Sequence, residues 1–585
     1  MKNISFNKSH RLGYYLMMFV LFSLAACQSG VELPKGDADN GGLTLPGGFE
    51  AVVVADSIGR ARHLTVRENG DIYVKLRVAN EEGQGIVALR DSDNDGKADI
   101  VKVFGDYPEN GSYGTGMEIY NGYFYFSTAG DVFRIKIDPE KLVPEGEAEL
   151  IMRDDYKNAE HGFEHIAKPL AFDNEGNMYV PFGSPGDVCQ EFNRRPGMAG
   201  MFPCPQLEWH GGIWRFDANK LNQTQEDGYR YATGIRSVVA MDWNEKENSL
   251  YVVQHGRDNL YRTWPDLYSR WESAVLPSEE FFKVEDGTNG GWPYYYYDHI
   301  QGKKLLNPEY GGDKELATGV DSIAMPLMGF PGHYAPNDLF FYTGDQFPER
   351  YKDGAFVAFH GSTIRGPYPQ AGYFVGFVPF EEGKPSGPWE VFADGFAQLD
   401  TIVNTGDAAA RPMGISMGPD GSLYVTESVK GKIWRIMYPG DKEDFTEDAL
   451  TELEERKKTR TNIKKPSEEE DNLEKGMLEI GEQTYNVYCA TCHQSNGLGD
   501  GTRFPTLSQT KWVRGNKKQL INVLLQGLEG QIDVKGVSYN GIMPAHSFLS
   551  DAQIAGVLTY IRKSFGNNSS SISAIEVGNA RKEIE

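Results

Sequence analysis

Near its C-terminal end the chain contains two cysteines and a histidine with the spacing of a haem attachment site. In the stretch "YCATCH", Cys489 and Cys492 stand three residues apart and His493 follows directly. Two thiols can form thioether links to a haem, and the imidazole can be its axial ligand. The motif therefore predicts a covalently bound haem c. Because such a haem passes electrons but seldom generates them, the preceding part of the chain is the natural place to look for their source.

The alternatives for these residues are a zinc site and a thiol–disulfide redox motif. A zinc site would combine them with His546, but the adjacent Cys492 and His493 cannot easily both reach one tetrahedral ion. A thioredoxin-type C-x-x-C motif is expected within a βαβ pattern, which the sequence lacks. Haem c is therefore preferred, and His546 is expected at the surface or at the haem edge.

The elements around the motif are predicted to be helical. The segment that ends on the motif favours one helix, and a second, amphipathic helix begins after Ser550 as its N-cap. Residues 476–566 resemble a small soluble cytochrome c, an all-α domain. In that family a methionine before the last helix is the second axial ligand, which points to Met543. A Met/His pair raises the potential of the iron and suits an electron acceptor.

Upstream, one short phrase recurs six times between Leu45 and Tyr438. Each copy has a polar turn with Gly, Asn or Asp, followed by an apolar run with Tyr or Phe, as in "ENGDIYVKLR" and "PDGSLYVTESV". The copies begin at Glu68, Tyr120, Asn174, Lys246, Lys352 and Pro419. Such turns are hairpin signals, and intervals of roughly 50 to 100 residues indicate propeller blades with inserted loops. We predict an all-β six-bladed β-propeller over residues 45–440, in preference to paired β-sandwiches.

Composition agrees with two or three globular domains in 585 residues. The formal net charge of −25 argues against a nucleic-acid partner, which requires Lys and Arg to neutralise phosphates. Residues 441–475 are dense in both charges and predict a solvated linker, with a short helix through Thr446–Lys458. Residues 567–585 are predicted to be a flexible tail.

The first 27 residues predict an export signal. A basic start is followed by an apolar run, Tyr14 to Ala26, which is shorter than the ~20 residues of a membrane-spanning helix. The run ends in "LAAC", which resembles a bacterial lipobox and implies cleavage before Cys27 and lipidation of its thiol. The alternative is an ordinary signal peptide with an incidental cysteine. Residues 28–44 would form a tether, and we expect a periplasmic or cell-surface protein that is lipid-anchored to a bacterial membrane.

Two further cysteines, Cys189 and Cys204, have no role in these motifs. In an oxidising compartment they are expected to form a disulfide rather than two free buried thiols. On the chain-entropy model, closing a loop of this length contributes roughly 3 kcal/mol.

Several phrases of the propeller region resemble the soluble quinoprotein sugar dehydrogenases, the family of the glucose and sorbosone dehydrogenases. They include "HIAKPLAFDNEGNMYVPFGS", "VVQHGRDN" and "ARPMGISMGPDGSLYV", and the series follows the family's order along the chain. The resemblance implies a six-bladed propeller that binds pyrroloquinoline quinone (PQQ) and Ca²⁺. It also implies oxidation of a sugar, such as an aldose, or of a related small alcohol or aldehyde.

The resemblance places the reaction chemistry on four residues. His165 falls on the catalytic base, a role that suits imidazole because its reference pKa of ~6.5 lies near working pH. Arg236 falls on an arginine beside the quinone, where a fixed cation stabilises negative charge on the quinone oxygen during hydride transfer. Ser237 stands where the family usually has Asn, so one cofactor contact differs. Glu279 falls on an acidic position of the site.

The same resemblance implies further contacts to the cofactor and the metal. Arg365 and Arg411 would face the quinone carboxylates, with which a planar guanidinium forms paired hydrogen bonds. The main-chain carbonyls of Gly256 and Arg257 would bind the active-site Ca²⁺, a hard cation that prefers oxygen ligands. The family often has Pro at the position of Arg257, but a backbone ligand tolerates that change.

A second calcium candidate lies in the stretch "DSDNDGKAD". The carboxylates of Asp91, Asp93, Asp95 and Asp99 alternate with other residues as in a calcium loop. The glutamate expected at the twelfth position is Lys102, so the stretch is not a complete helix-loop-helix site. An acidic hairpin turn is the alternative.

Together these features lead to one leading hypothesis and one alternative. The leading hypothesis is an exported quinoprotein dehydrogenase that passes electrons singly through its haem to an external acceptor, a cytochrome or a quinone chain. The alternative is a propeller that binds carbohydrate or protein and is linked to an independent electron-transfer cytochrome. The fold by itself does not choose between them.

Overall fold

The computed structural model describes residues 33–105, 107, 114–156 and 164–584. The predicted signal peptide and Cys27 lie outside these residues. The segment from Pro34 to Glu585 forms one compact unit. Among the described helices, none has the length and apolar character needed to cross a membrane.

The N-terminal two thirds of this unit consists of short strands. In chain order, the first are β1 (Glu50–Ala55), β2 (Ala61–Val66), β3 (Ile72–Leu76), β4 (Ile86–Arg90), β5 (Ile100–Phe104), β6 (Met117–Tyr120), β7 (Tyr123–Ser127), β8 (Asp131–Lys136), β9 (Glu149–Arg153), β10 (Ala171–Phe172), β11 (Asn177–Phe182), β12 (Gly212–Asp217), β13 (Gln223–Thr224) and β14 (Tyr229–Thr233). They continue with β15 (Val238–Asn244), β16 (Ser249–Gln254), β17 (Glu279–Val284), β18 (Thr288–Asn289), β19 (Tyr295–Asp298), β20 (Lys303–Leu306), β21 (Met328–Phe330), β22 (Pro336–Phe341), β23 (Ala355–Phe359), β24 (Phe374–Val378), β25 (Phe380–Glu381), β26 (Lys384–Pro385), β27 (Glu390–Ala393), β28 (Pro412–Met417), β29 (Leu423–Glu427) and β30 (Ile433–Met437).

These strands form the six-bladed β-propeller that the repeats predicted. The blades have the strand orders β2-β3-β4-β5, β6-β7-β8-β9, β10-β11-β12-β14, β15-β16-β17-β21, β22-β23-β24-β27 and β28-β29-β30-β1. Each of the six repeated phrases forms the second strand of a blade: β3, β7, β11, β16, β23 or β29. The glycines in these turns, such as Gly70 and Gly421, have φ values of +87° and +83°, which glycine adopts without steric strain.

The last blade joins the two ends of the propeller region. β1, the first strand of the chain, pairs antiparallel with β30, so that Val53 lies opposite Trp434 and Ala51 opposite Ile436. Neighbouring blades cover both faces of each sheet, and β23 is accordingly buried along its whole length. Because the ring closes through β1, few sheet edges are left open.

Residues before β1 belong to the propeller and do not form a free tether. The Asp37 amide donates to the Ala51 carbonyl at 2.8 Å, and Thr44 forms a β-bridge with Asp394. Leu43 is buried. The described part of the predicted tether 28–44 is therefore packed on the last two blades.

Helices appear in an insertion of the fourth blade and after the propeller. They are α1 (Leu260–Thr263), α2 (Arg270–Val275), α3 (Thr451–Thr459), α4 (Glu468–Tyr488), α5 (Ala490–His493), α6 (Lys511–Arg514), α7 (Lys517–Gln526), α8 (Asp551–Lys563) and α9 (Ala574–Ile584). The C-terminal domain also has a hairpin of β31 (Leu528–Val534) and β32 (Val537–Met543), which the sequence pattern did not indicate.

The C-terminal domain is otherwise helical, as predicted. Ser550 caps α8 by accepting a hydrogen bond from the Gln553 amide. α4 and α8 cross closely because Gly481 and Gly556 meet: a Cβ at Gly481 would lie 2.1 Å from the Gly556 carbonyl oxygen. Apolar side chains of α4, α7 and α8 pack together below this crossing.

Two predictions about flexible segments are wrong. The linker forms α3 close to the expected position, but Leu453 and Ile463 are buried against the fifth blade instead of being solvated. The tail after residue 566 forms α9, which packs on α7 and α8 and buries Ile572 and Val577. In both segments a few apolar residues are buried, although the overall composition of the segment is charged or polar.

Candidate active site and haem pocket

A cavity of about 340 Å³ lies where the blades bring six loops together. Its lining residues precede a first strand or follow a second strand of several blades, apart from Glu279, which begins β17, the third strand of the fourth blade. Since neighbouring strands are antiparallel, the start of one and the end of the next lie at the same edge of the sheet. The cavity is lined by His165, Arg236, His255, Gly256, Asp258, Glu279, His333, Ala335, Gly361, Ser362, Thr363, Ile364, Thr405 and Arg411. Five of the residues singled out from the sequence therefore meet in one place.

His165 faces this cavity from the segment before β10. Its Nδ1 lies 2.7 Å from the Ser184 carbonyl oxygen, and Ser184 Oγ donates to the Gly186 carbonyl. Nδ1 therefore carries the proton, which leaves Nε2 as an acceptor. Burial, together with the charge of Arg236, lowers the pKa of His165 well below 6.5. A neutral imidazole with an available nitrogen can accept a proton from a bound hydroxyl.

Arg236 is held rigidly beside His165. It is buried, its Nη2 pairs with Asp187 Oδ1 at 2.5 Å, and its Nη1 donates to the Gly256 carbonyl at 2.8 Å. Asp187 was not singled out from the sequence, because it lies in the loop after β11, far from Arg236 along the chain. The ion pair prevents the Arg236 side chain from rotating and so fixes a cation at the cavity wall.

Glu279 and Gly256 form the floor next to Arg236. Glu279 accepts hydrogen bonds from the Gly256 amide at 2.7 Å and the Ala335 amide at 3.2 Å. Burial raises the pKa of Glu279 to about 7. The Gly256 carbonyl, predicted as a calcium ligand, accepts from Arg236, although a carbonyl oxygen has a second lone pair. Asp258, which the sequence reasoning missed, adds another carboxylate to the lining.

Arg411 also lines the cavity, from the segment before β28. It donates to the His360 carbonyl at 3.1 Å and to the Gly361 carbonyl at 2.5 Å. Among the residues that the structure describes, no carboxylate forms an ion pair with it. Burial lowers its pKa, and Arg60 and Arg77 lower it further by repulsion. An arginine in this setting suits an anionic ligand.

The positive charge near Arg411 comes partly from residues that the sequence reasoning missed. Burial lowers the pKa of Arg62 to about 9, and repulsion from Arg77, Arg411 and Arg60 adds to this effect. A cluster of guanidinium groups beside the cavity fits a ligand that has several carboxylates, as PQQ has. The short phrase "GRAR" at the start of β2 carries no motif, so only the fold could place it here.

Three predicted site residues are not among the residues that line the cavity. The Ser237 carbonyl accepts from the His255 amide, and Ser237 does not line the cavity. The Arg257 side chain is buried against Glu309 at 2.5 Å, which leaves only its backbone for a metal. Arg365 is 1% exposed and donates to the carbonyls of Thr461 and Lys464 at 3.4 and 2.8 Å. Its predicted contact with a quinone carboxylate is therefore wrong in this structure.

The two cysteines of the loop after β11 form the predicted disulfide, Cys189–Cys204. The loop also contains Asp187, whose carbonyl accepts from the indole of Trp292 at 2.8 Å. Trp292 is buried and so supports this loop instead of lining the cavity. The disulfide thus stabilises the segment that supplies the partner of Arg236.

The acidic stretch before β5 brings three of its four aspartates together. Oxygens of Asp91, Asp93 and Asp95 lie within 4.8 Å of one another. Asp99 instead accepts from the Ser92 amide at 3.1 Å and from its hydroxyl. The first three offer the hard donors that Ca²⁺ prefers, and calcium binding here stays a prediction.

The haem motif borders a second cavity, of about 470 Å³. Cys489, Cys492, His493 and Met543 all line it, together with largely apolar side chains. The Nδ1 of His493 lies 2.9 Å from the Pro505 carbonyl oxygen, which leaves Nε2 for the iron. Met543 ends β32, and His546 lies at the rim as a lining residue. The donor set and the apolar walls fit a haem c.

Comparisons with known proteins agree with these two sites. Residues 111–365 match the family model described as Glucose / Sorbosone dehydrogenase, residues 302–439 match TrAA12-like, and residues 478–564 match Cytochrome c. The chain therefore combines a propeller domain of the glucose/sorbosone dehydrogenase type with a C-terminal cytochrome c domain. This confirms the resemblance drawn from the sequence phrases.

Curated relatives match parts of the chain. Cytochrome c-552 of Thermus thermophilus is 45% identical over 83 residues, which are 14% of this chain and 63% of that protein. The fructose dehydrogenase cytochrome subunit of Gluconobacter japonicus is 32% identical over 109 residues, 17% of this chain and 22% of that protein. The chain thus spans less than two thirds of either relative.

Solved structures support the propeller fold. The holo form of the pyranose dehydrogenase PQQ domain from Coprinopsis cinerea has a TM-score of 0.53 and 18% identity, covering 69% of this chain and 98% of that one. The calcium structure of the Trichoderma reesei carbohydrate-active enzyme family AA12 has a TM-score of 0.53 and 17% identity, covering 70% and 99%. At these identities the likeness concerns the fold.

Proposed function

We propose that the propeller is a PQQ-dependent dehydrogenase that oxidises an aldose or a related alcohol or aldehyde. Its electrons leave through the haem c of the C-terminal domain to an external acceptor, a cytochrome or a quinone chain. The observation that supports this most is the single cavity that combines a neutral His165 with Arg236 and Arg411. One chain thus offers a base, a fixed cation and an anion-binding wall.

Each residue has a defined task in this proposal. Nε2 of His165 accepts the proton of the substrate hydroxyl, and the Ser184 carbonyl keeps the ring in the required tautomer. Arg236 holds positive charge where negative charge develops. Arg411 binds carboxylate, and Asp187 and Gly361 hold the two guanidinium groups in place. When bound, PQQ supplies acceptance of a hydride, and haem c supplies one-electron transfer.

Calcium is part of the proposal through three oxygen donors at one side of the cavity. The carbonyl of Gly256 and the carboxylates of Asp258 and Glu279 are hard ligands. A bound dication would also hold Glu279 ionised at neutral pH. Chelation should therefore lower cofactor affinity, and added Ca²⁺ should restore it.

We further propose that the protein acts outside the cytoplasm, anchored through a lipid at Cys27. The sequence before the propeller has the pattern of a lipoprotein signal. The disulfide Cys189–Cys204 is consistent with an oxidising compartment. Metabolic labelling with a fatty acid tests the anchor, because a Cys27→Ser variant should lose the label.

The central experiment reconstitutes the haem-containing protein with PQQ and Ca²⁺ and follows haem absorbance while aldoses are added. We expect substrate-dependent haem reduction. A His165→Ala variant should lose about 10²- to 10⁴-fold in rate, the usual contribution of a general base. His299→Ala is the matched control, since His299 bonds to Ser278 Oγ and lies outside the cavity lining.

The outcomes separate the proposal from its alternative. Wild-type protein that neither binds PQQ nor reduces its haem with sugars would contradict the dehydrogenase. Sugar binding without haem reduction would instead favour a binding propeller with an independent cytochrome. Full activity of the His165→Ala variant would show that another group is the base.

A further inference from the structure

The charged segment after the propeller forms an ordered strap, defined here as residues 460–466, that packs against a loop of the cavity wall. It begins where α3 ends, and α3 is fixed to the fifth blade by an ion pair between Arg456 and Asp394 at 2.7 Å. Lys457 lies over the Trp389 ring, 3.9 Å from its centroid. Ile463, in the middle of the strap, is 1% exposed. The strap is therefore seated on the propeller along its length.

Hydrogen bonds tie the strap to the loop that follows β23. Asn462 and Gly372 form a reciprocal pair: the Gly372 amide donates to the Asn462 carbonyl, and the Asn462 side chain donates to the Gly372 carbonyl, both at 2.9 Å. Arg365, from the same loop, donates to the carbonyls of Thr461 and Lys464. The loop residues 361–364 line the cavity. Strap and cavity wall thus share one hydrogen-bonded network.

The contact continues from this network to the cavity itself. Gly372 packs so tightly on Gly361 that a Cβ at Gly372 would lie 2.6 Å from Gly361 Cα. The Gly361 carbonyl accepts from Arg411, whose guanidinium lines the cavity. A displacement of Asn462 is therefore passed through two close backbone contacts to the group that would bind an anion.

A second contact joins the strap to the segment that contains Tyr334 and Ala335. The Tyr334 hydroxyl donates to the Ile463 carbonyl, and the Tyr334 carbonyl accepts from the Gly361 amide at 2.9 Å. Ala335, the next residue, lines the cavity and donates to Glu279. The strap is consequently bonded to neighbours of both Arg411 and Glu279.

The far end of the strap is also fixed. The indole of Trp271, in α2, donates to the Pro466 carbonyl at 2.8 Å. α4 of the haem domain begins two residues later, at Glu468. The strap is thus part of the covalent link between the propeller and the haem domain, and hydrogen bonds join it to the loop that lines the cavity.

We propose that the strap supports the cavity wall, with Asn462 and Arg365 as positioning residues that hold the 361–372 loop in its binding conformation. Because the network orders this loop before a ligand binds, binding does not carry the conformational-entropy cost of ordering it. Release of the strap should therefore weaken binding of the anionic ligand. The proposal rests on the proposed function only for the identity of that ligand, PQQ.

The test compares the full haem-containing protein with Asn462→Ala and Arg365→Met variants in two measurements. Hydrogen–deuterium exchange without PQQ should show the 361–372 loop opening on the order of tenfold more often in each variant, as expected when a buried hydrogen bond is lost. PQQ titration should show a dissociation constant raised about tenfold at unchanged melting temperature. An Arg365→Lys variant retains one charged donor for the Lys464 carbonyl and should recover part of both effects.

The matched control is Glu452→Ala, an exposed position on α3 of the same segment, which should behave as wild type. If the 361–372 loop exchanges its amide hydrogens at the wild-type rate in both variants, the proposal is overturned. The proposal is also overturned if the loop opens more often in the variants but their PQQ affinity is unchanged. If the wild type binds no PQQ, the proposed function fails, and the exchange measurement still decides whether the strap holds the loop.

Discussion

Arg411 offers a direct test of whether the cavity binds a polycarboxylate. Its guanidinium donates to the carbonyls of His360 and Gly361, and no carboxylate in the described ranges pairs with it. An Arg411→Gln variant removes a charge that has no ion-pair partner among the described residues. A charge-assisted hydrogen bond contributes about 1.5–3 kcal/mol, which corresponds to about 10- to 150-fold weaker PQQ binding.

The assay titrates PQQ into protein purified without it and follows tryptophan fluorescence or heat. Arg435→Gln is the charge-matched control, because Arg435 pairs with Asp420 at 2.7 Å on the last blade and lies outside the cavity lining. We expect the PQQ affinity of this control to equal that of the wild type. The affinity of the Arg411→Lys variant should lie between those of the wild type and the Arg411→Gln variant. Equal affinities for the folded Arg411→Gln and wild-type proteins would refute the assignment of this wall.

Four further predictions follow from other parts of the fold. A Met543→Ala variant should keep its covalent haem but show a lower reduction potential in a redox titration, because it loses the thioether ligand. Burial raises the pKa of Asp242 to about 7, so the folded state retains a proton that the unfolded state releases near pH 4. Stability from this group should be present at low pH and be lost as pH rises through 7. In the Asp242→Asn variant, the free energy of unfolding measured with denaturant should change with pH by on the order of 2–4 kcal/mol less than in the wild type. Replacing Cys189 and Cys204 with Ser should cost roughly 3 kcal/mol in the same denaturation assay. Calcium should raise the melting temperature of the wild type more than that of Asp93→Asn, and an identical rise would exclude the acidic loop as its site.

The repeated elements and the haem motif could be predicted because their signals are local. A glycine, asparagine or aspartate with positive φ, such as Gly70, Asn248 or Asp353, lies in the hairpin turn of each blade, so this turn marks every blade in the sequence. The haem thiols and imidazole lie within five residues, on a single helical turn. Neither prediction depends on how distant parts of the chain meet.

The active-site cavity was predictable only in part, because its residues come from several blades. His165, Arg236 and Arg411 were found through phrases that resemble a family. Asp258 and His333 line the same cavity, but Asp258 received no role although it lies in the phrase "VVQHGRDN", and His333 lies outside the quoted phrases. Their function depends on the closure of the ring, which brings together loops that are far apart in sequence.

The error at Arg365 and the error in the linker have one cause. Composition predicts solvation for a charge-dense segment, and a family phrase assigns Arg365 to a cofactor carboxylate. In the structure, the guanidinium of Arg365 instead finds two main-chain carbonyls of that segment. Every residue carries a carbonyl, so such acceptors leave no trace in the sequence. A charged segment can therefore be ordered by its backbone, provided that a residue such as Ile463 supplies the burial and a neighbouring loop supplies the donors. Because this loop also forms the cavity wall, the segment that joins the two redox domains shapes the site of the first.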